Sequence, residues 1–274
     1  MQASPRTFRR SGAIAAAILT LVSSAVLFGQ FGRQSNSAMT FASADSFDGA
    51  FQFCRIFFRQ ALNGDGGDWR VDFPRADQNL SIRLAELTRA PVSFDRLNEP
   101  NHLVIRLTQP ELFHCPFVMM TEVGSMYIDE AEVGALRDYL LKGGVLWADD
   151  FWGEYAWTIW ESQIRKVCPS STHPIVDLPF DHPVFNQFLA MKRFPQIPSI
   201  GWARSSTTSE RFDSQTPHAR AILDEGGRVM VLITHNTDFG DSWEREGDDP
   251  TYFERFSVEG YAFGMNVLIY AMTH

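Results

Sequence analysis

The stretch Leu140-Leu141-Lys142-Gly143-Gly144-Val145-Leu146-Trp147-Ala148-Asp149-Asp150-Phe151 narrows the folds open to this chain more than any other. It reads as a helix end, a glycine turn, one strand and two carboxylates at the strand's exit. Glycine lacks a Cβ and accepts the left-handed backbone that reverses a chain after a helix. The run Val145-Leu146-Trp147-Ala148 has no polar face, which suits a central parallel strand covered by helices on both sides. Ligands of such sheets gather outside the carboxyl ends of the strands. Asp149 and Asp150 therefore mark a candidate site before any activity is known.

The same alternation continues on either side. Residues 51–58 have the length and aromatic content of a first strand, and the Gly- and Asp-rich 63–68 form a loop. Pro74 suits a helix entrance, followed by Leu80, Leu84 and Leu87 at helical spacing. Short strands are predicted over 103–107 and 117–121, and helices over 129–141 and 154–167. In the second half, Asp181-His182-Pro183 sets a capping acid and a proline before Val184-Phe185, a pattern that starts helices. Residues 193–198 read as a crossing loop, 228–234 as a late strand and 258–272 as an apolar closing helix. No internal repeat is present. The pattern predicts a single α/β domain over 49–274, a doubly wound, mostly parallel sheet flanked by helices.

Ahead of that domain, Arg6, Arg9 and Arg10 precede an apolar run over 13–28, with Ser23-Ser24-Ala25 offering small residues for cleavage. The run is shorter than the roughly 20 residues that span a bilayer. Residues 1–28 are thus expected to be a cleaved signal peptide, with a retained inner-membrane anchor as the alternative, and 29–48 a linker. Ser11-Gly12 follow the arginine pair where a twin-arginine signal wants an apolar residue, so the general secretory route is expected. The protein is placed in the periplasm or otherwise outside the cytoplasm, and any membrane attachment falls to the N-terminus alone. With 24 Lys+Arg against 33 Asp+Glu, a net charge of -9 disfavours a polyphosphate partner, which sets nucleic-acid binding aside.

Cys54, Cys115 and Cys168 fit no close-spaced metal pattern. They read as small buried core residues, with one disulfide of unassigned pairing as the rival. Two strand exits carry the chemistry: Asp149-Asp150 with Glu154 one turn later, and His235-Asn236 with Asp238 and Asp241 behind. A parallel sheet lines such exits along one edge, so they are predicted to meet in a crevice. There Asp149, Asp150 and Glu154 suit a polyol, a cation or acid–base work, and His235 a general base or metal ligand. The competing reading is capping, with Asp150 or its neighbour accepting the first amides of the helix that begins near Gly153. If both roles are filled, one Asp caps and the other faces the crevice. Trp152, Tyr155, Trp157 and Trp160 form an aromatic patch that either stacks on sugars or belongs to the core. The elbow 148–153 holds neither Ser nor Cys, and no phosphate-binding glycine loop or metal-ligand spacing occurs. No cofactor and no metal site are predicted. The ligand-binding candidates are Asp149, Asp150, Trp152, Glu154, His235, Asn236 and Asp238.

Four motifs carry a resemblance: Asp72-Phe73-Pro74-Arg75-Ala76-Asp77-Gln78-Asn79-Leu80, the segment 143–151, Asp181-His182-Pro183-Val184-Phe185, and the closing 266–274. Through them, residues 51–274 resemble a bacterial family known as domain of unknown function 4159, found in exported or membrane-attached proteins. The resemblance implies a flavodoxin-like fold similar to class I glutamine amidotransferases and trehalose-utilisation proteins. Amidotransferases keep a cysteine at the elbow, and this chain departs from that pattern. The expected function is an exported module that binds a small polar, carbohydrate-like ligand without amidotransferase activity. A hydrolase, metal-assisted or not, using Asp149, Asp150, Glu154 and His235 is the alternative. A structural partner in an envelope complex is the third reading.

Overall fold

Five strands with few polar residues cannot face water, and in the computed structural model, which describes residues 41–274, they form the parallel part of one sheet. They are β1 (Phe53–Phe57), β3 (His102–Arg106), β4 (Phe117–Thr121), β6 (Val145–Asp149) and β9 (Val229–His235). All five run parallel, in the order β3-β1-β4-β6-β9. Renumbered along the chain that order is 2-1-3-4-5, the flavodoxin-like arrangement. Beyond β9, β8 (His218–Leu223) and β7 (Ile175–Asp177) extend the sheet to seven strands, with antiparallel pairing at β9–β8 and β8–β7. A separate ribbon pairs β2 (Arg59–Gln60) with β5 (Met126–Tyr127). The fold is thus a mixed, mostly parallel α/β sheet with flanking helices.

Side-chain alternation divides the core into two layers. Cys54, Ile56, Val118, Met120, Leu146, Ala148 and Ile233 pack against α2 (Glu130–Leu141) and α3 (Gly153–Val167). Phe53, Phe117, Met119, Trp147 and Leu232 face α1 (Arg75–Leu87), α4 (Phe239–Glu244) and α6 (Val258–Thr273), the last entered through the short α5 (Pro250–Tyr252). Trp147 centres this second layer, with the rings of Phe239, Trp243 and Phe263 5.4–5.5 Å away. Its indole donates to Thr234 Oγ1 at 2.7 Å, so the buried N–H is satisfied.

The glycine turn before β6 divides its labour. Gly143 takes the left-handed conformation (φ 107°), whereas Gly144 lies flat under the Tyr139 ring, where a Cβ would come within 2.3 Å of Cζ. Asp129 caps α2, accepting from the amides of Ala131 and Glu132. The helix expected after Asp181-His182-Pro183 is a single 3-10 turn, Pro183–Phe185, and its capping acceptor is His182 Nδ1, not Asp181. The cysteine reading is also corrected: Cys54 and Cys115 form a disulfide, while Cys168 is free and buried. The signal reading of 1–28 and the first part of the linker lie outside the described residues. Among the described residues, packing onto the sheet begins at Phe41, which pairs with Val104. Among the described residues no helix is long and apolar enough to cross a membrane.

Candidate functional site

The order of connection reverses at β1, whose neighbours β3 and β4 both follow it in the chain. In open α/β sheets the loops diverge at such a point and leave a crevice at the strands' carboxyl ends. A cavity of about 560 Å³ opens here. The loop after β1 contributes Asp65, Arg70 and Asp72, and the turn after β4 contributes Glu122. Asp150 and Trp152 come from the elbow after β6, Glu210 and Arg211 from a crossing loop, and Asp238, Asp241, Glu244 and Arg245 from the start and body of α4.

The backbone is held in an uncommon state all along this edge. Glu122, Asp150 and Asn236 each directly follow a parallel strand, and each is left-handed, with φ of 53°, 54° and 62°. Asp72 is left-handed too, at φ 62°. Such geometry costs a non-glycine residue about 1 kcal/mol or more and concentrates where a side chain must be aimed.

The two adjacent carboxylates take opposite roles. Asp149 turns under α4: its Oδ2 accepts from the amides of Phe239 and Gly240, and Oδ1 from the Thr234 hydroxyl. It is a buried cap, and burial still pushes its carboxyl up to about 7 against the pull of those donors. The helix it caps is α4, whereas the sequence pointed to the helix beginning near Gly153. The first amides of α3 go to Asn236 Oδ1 and to Asp213. Asp150 faces the cavity, its Oδ1 accepting from the Trp152 indole at 3.0 Å.

His235 does not join them. Its ring lies among Phe151, Trp157 and His218 on the α3 side of the sheet, with Nε2 3.1 Å from the Gly153 carbonyl oxygen and Nδ1 buried without a partner. Burial lowers its pKa to about 4, so it is neutral at physiological pH. Residues 234 and 235 point to opposite faces because side chains alternate along a strand, so a strand exit sends only alternate residues toward any one crevice. Asn236 is spent on bridging, donating to the Thr216 carbonyl and accepting from Gly153. Glu154 is exposed and does not line the cavity. Trp157 and Trp160 are core rings, Tyr155 is exposed, and Trp152 alone of the four reaches the cavity. Of the residues named at the two strand exits the cavity thus gathers Asp150, Trp152, Asp238 and Asp241.

The lining carboxylates that sequence reasoning left out of the candidate site are Asp65, Asp72, Glu122, Glu210 and Glu244. Asp72 and Asp241 form with Asp238 a buried group whose ligand atoms all lie within 4.8 Å of one another. At that separation an ionised pair repels by about 3 kcal/mol at an effective dielectric of 20. Burial first, then the neighbouring carboxylates, hold Asp72, Asp150 and Asp238 well above the usual carboxylate range, with Arg55 opposing at Asp72. Asp241 is raised chiefly by burial, and Glu122 is pushed up to about 7 by burial and by Glu210 and Asp65.

Positive charge nearby is already engaged. Arg55, fully buried in β1, is forked onto Asp77 of α1 and donates to the Val71 carbonyl. At the rim, Arg70 pairs with Asp68, Arg211 with Asp65, and Arg245 with Asp241 and Glu244. Eight lining carboxylates against three paired guanidiniums make the cavity rich in acceptors and net negative.

The model of a family described as Domain of unknown function (DUF4159) matches residues 59–272. The chain belongs to that family. The DUF4159 match runs from the strand ahead of the Asp72 loop to the closing helix, so every group that lines the cavity falls inside it. No curated protein matches the sequence.

Proposed function

We propose that this DUF4159 domain is an exported binding module for a small polyhydroxylated, carbohydrate-like ligand, seated in the acidic cavity and left chemically unchanged. The observation that carries the reading is the excess of carboxylates around that cavity, with no unpaired guanidinium among the lining residues. Such a wall accepts hydrogen bonds and repels phosphates and carboxylates, so it favours a ligand whose polar groups are donors. Trp152, fixed by its bond to Asp150, supplies an aromatic surface beside them.

The strand order supports a likeness to the glutamine amidotransferase fold. The left-handed residue at the elbow after β6 is nevertheless Asp150, and the free Cys168 is buried at the far end of α3. Glutamine hydrolysis through a thiolate has no nucleophile here. Water activation by His235 loses support as well, because the imidazole is packed against Phe151 and Trp157 and does not line the cavity. Export is supported by the basic and apolar segment 1–28 and by the Cys54–Cys115 disulfide, a bond that persists in oxidising compartments.

The test is saturation-transfer NMR on the full chain with glucose, glucosamine, N-acetylglucosamine and myo-inositol, with and without 5 mM CaCl2. Binding of at least one probe, weakened tenfold or more in both Asp150→Asn and Trp152→Ala, is expected. Binding of none at 10 mM, or affinities that both variants leave intact, overturns the reading.

A further inference from the structure

We propose that Asp72, Asp238 and Asp241 hold one hard divalent cation, Ca2+ or Mg2+, in the cavity wall, bound through carboxylate oxygens and completed by water or ligand hydroxyls. This deepens the binding-module reading and rests on the same cavity.

Three observations carry it. The ligand atoms of the three side chains lie within 4.8 Å of one another, a spacing that oxygens around a cation at 2.1–2.6 Å satisfy. Independently, Asp72 Oδ2 is buried and accepts from no N–H or O–H, in a residue only 6% exposed. Buried carboxylate oxygens are almost always hydrogen-bonded, so an orphan of this kind points to a partner of another sort. Oδ2 also reaches over Gly240, the helix position between Asp238 and Asp241, so closely that a Cβ there would fall 2.1 Å from it. The chain thus omits a side chain where one would hold Asp72 away from the other two.

The surrounding bonds orient the remaining carboxylates without consuming them. Asp238 Oδ1 accepts from the Asp241 amide at 2.7 Å, while Asp241 accepts at Oδ2 from the Ile200 amide at 2.6 Å and at Oδ1 from Arg245 Nε at 3.3 Å, each oxygen keeping a second lone pair for a cation. No His or Cys lines the cavity, and an all-carboxylate donor set selects Ca2+, Mg2+ or Mn2+ over Zn2+ or Cu2+. Arg55 is the nearest buried positive charge, but its guanidinium is committed to Asp77 and Val71 and donates nothing to Asp72.

The experiment is calorimetric titration of the full chain, stripped with EDTA and kept in 150 mM KCl without any sugar, with CaCl2, MgCl2 and MnCl2 in turn. Thermal unfolding runs in parallel. One cation per chain is expected, with a rise of several degrees in Tm at 5 mM of the preferred ion. Asp72→Asn and Asp238→Asn, each nearly isosteric, are expected to lower affinity at least tenfold, and Asp72→Asn to be at least as stable as the wild type in EDTA. Absence of binding at 10 mM for all three ions, or unchanged affinity in whichever of the two variants folds, overturns the proposal. Because sugar is left out, cation binding can fail while the sugar test succeeds, and the reverse.

Discussion

Glu122 and His235 both have unusual proton affinities, and they respond to pH with opposite sign. Glu122 is held up to about 7, so the folded state retains its proton where the unfolded chain has lost it. Its contribution therefore turns unfavourable as pH rises from the ordinary carboxylate range through 7. In EDTA, Glu122→Gln is expected to gain about 1–2 kcal/mol over the wild type at pH 8 and much less at pH 5, measured by urea unfolding at both. His235 is depressed to about 4, so protons bind the unfolded chain first as pH falls below 6.5. The wild type is expected to lose about 2 kcal/mol between pH 8 and pH 5 through this group, a loss that His235→Gln removes. An unchanged pH profile in either variant refutes the corresponding burial argument. Both residues carry unusual environments, yet only Glu122 lines the cavity, so a perturbed proton affinity by itself does not locate the site.

At the scale of elements, the strands and helices of the central sheet were legible because their hydrophobic periods are clean. Residues 117–121 were expected as a strand and are β4, and 129–141 differ from α2 only by the capping residue Asp129. Half of the cavity was not legible, for a definite reason. Asp72 and Glu122 follow β1 and β4, and their nearness to Asp150 and Asp238 depends on the spatial order of strands, which no local pattern encodes. The motif that opens with Asp72 was visible as a family signature, and the rule that ligands sit where strand order reverses would have directed attention to it once β1 was placed beside β4. Asp149 caps α4 and His235 packs against α3 for a simpler reason, the alternation of side chains along a strand. One consequence is testable at α4. Asp149→Ala strips an acceptor from two buried amides and the Thr234 hydroxyl, and is expected to cost about 2–4 kcal/mol by chemical denaturation, against less for Asp149→Asn, which keeps an oxygen. A loss below 1 kcal/mol for the alanine variant contradicts the capping role.

For the whole molecule, the Cys54–Cys115 link closes a loop with a sequence separation of 61, for which chain-entropy arguments give about 4 kcal/mol. Replacing both cysteines by alanine is expected to lower unfolding free energy by about 2–4 kcal/mol. An unaltered midpoint rules out that contribution. The link joins the second residue of β1 to the segment just ahead of β4, so it lies at the amino end of the sheet, opposite the acidic cavity. The domain is therefore stapled along one rim and clasped along the other only by reversible bonds. Reductant should soften the protein as a whole while its grip on an ion at the far rim stays within about twofold, because nothing the staple fastens touches the place where the grip is made.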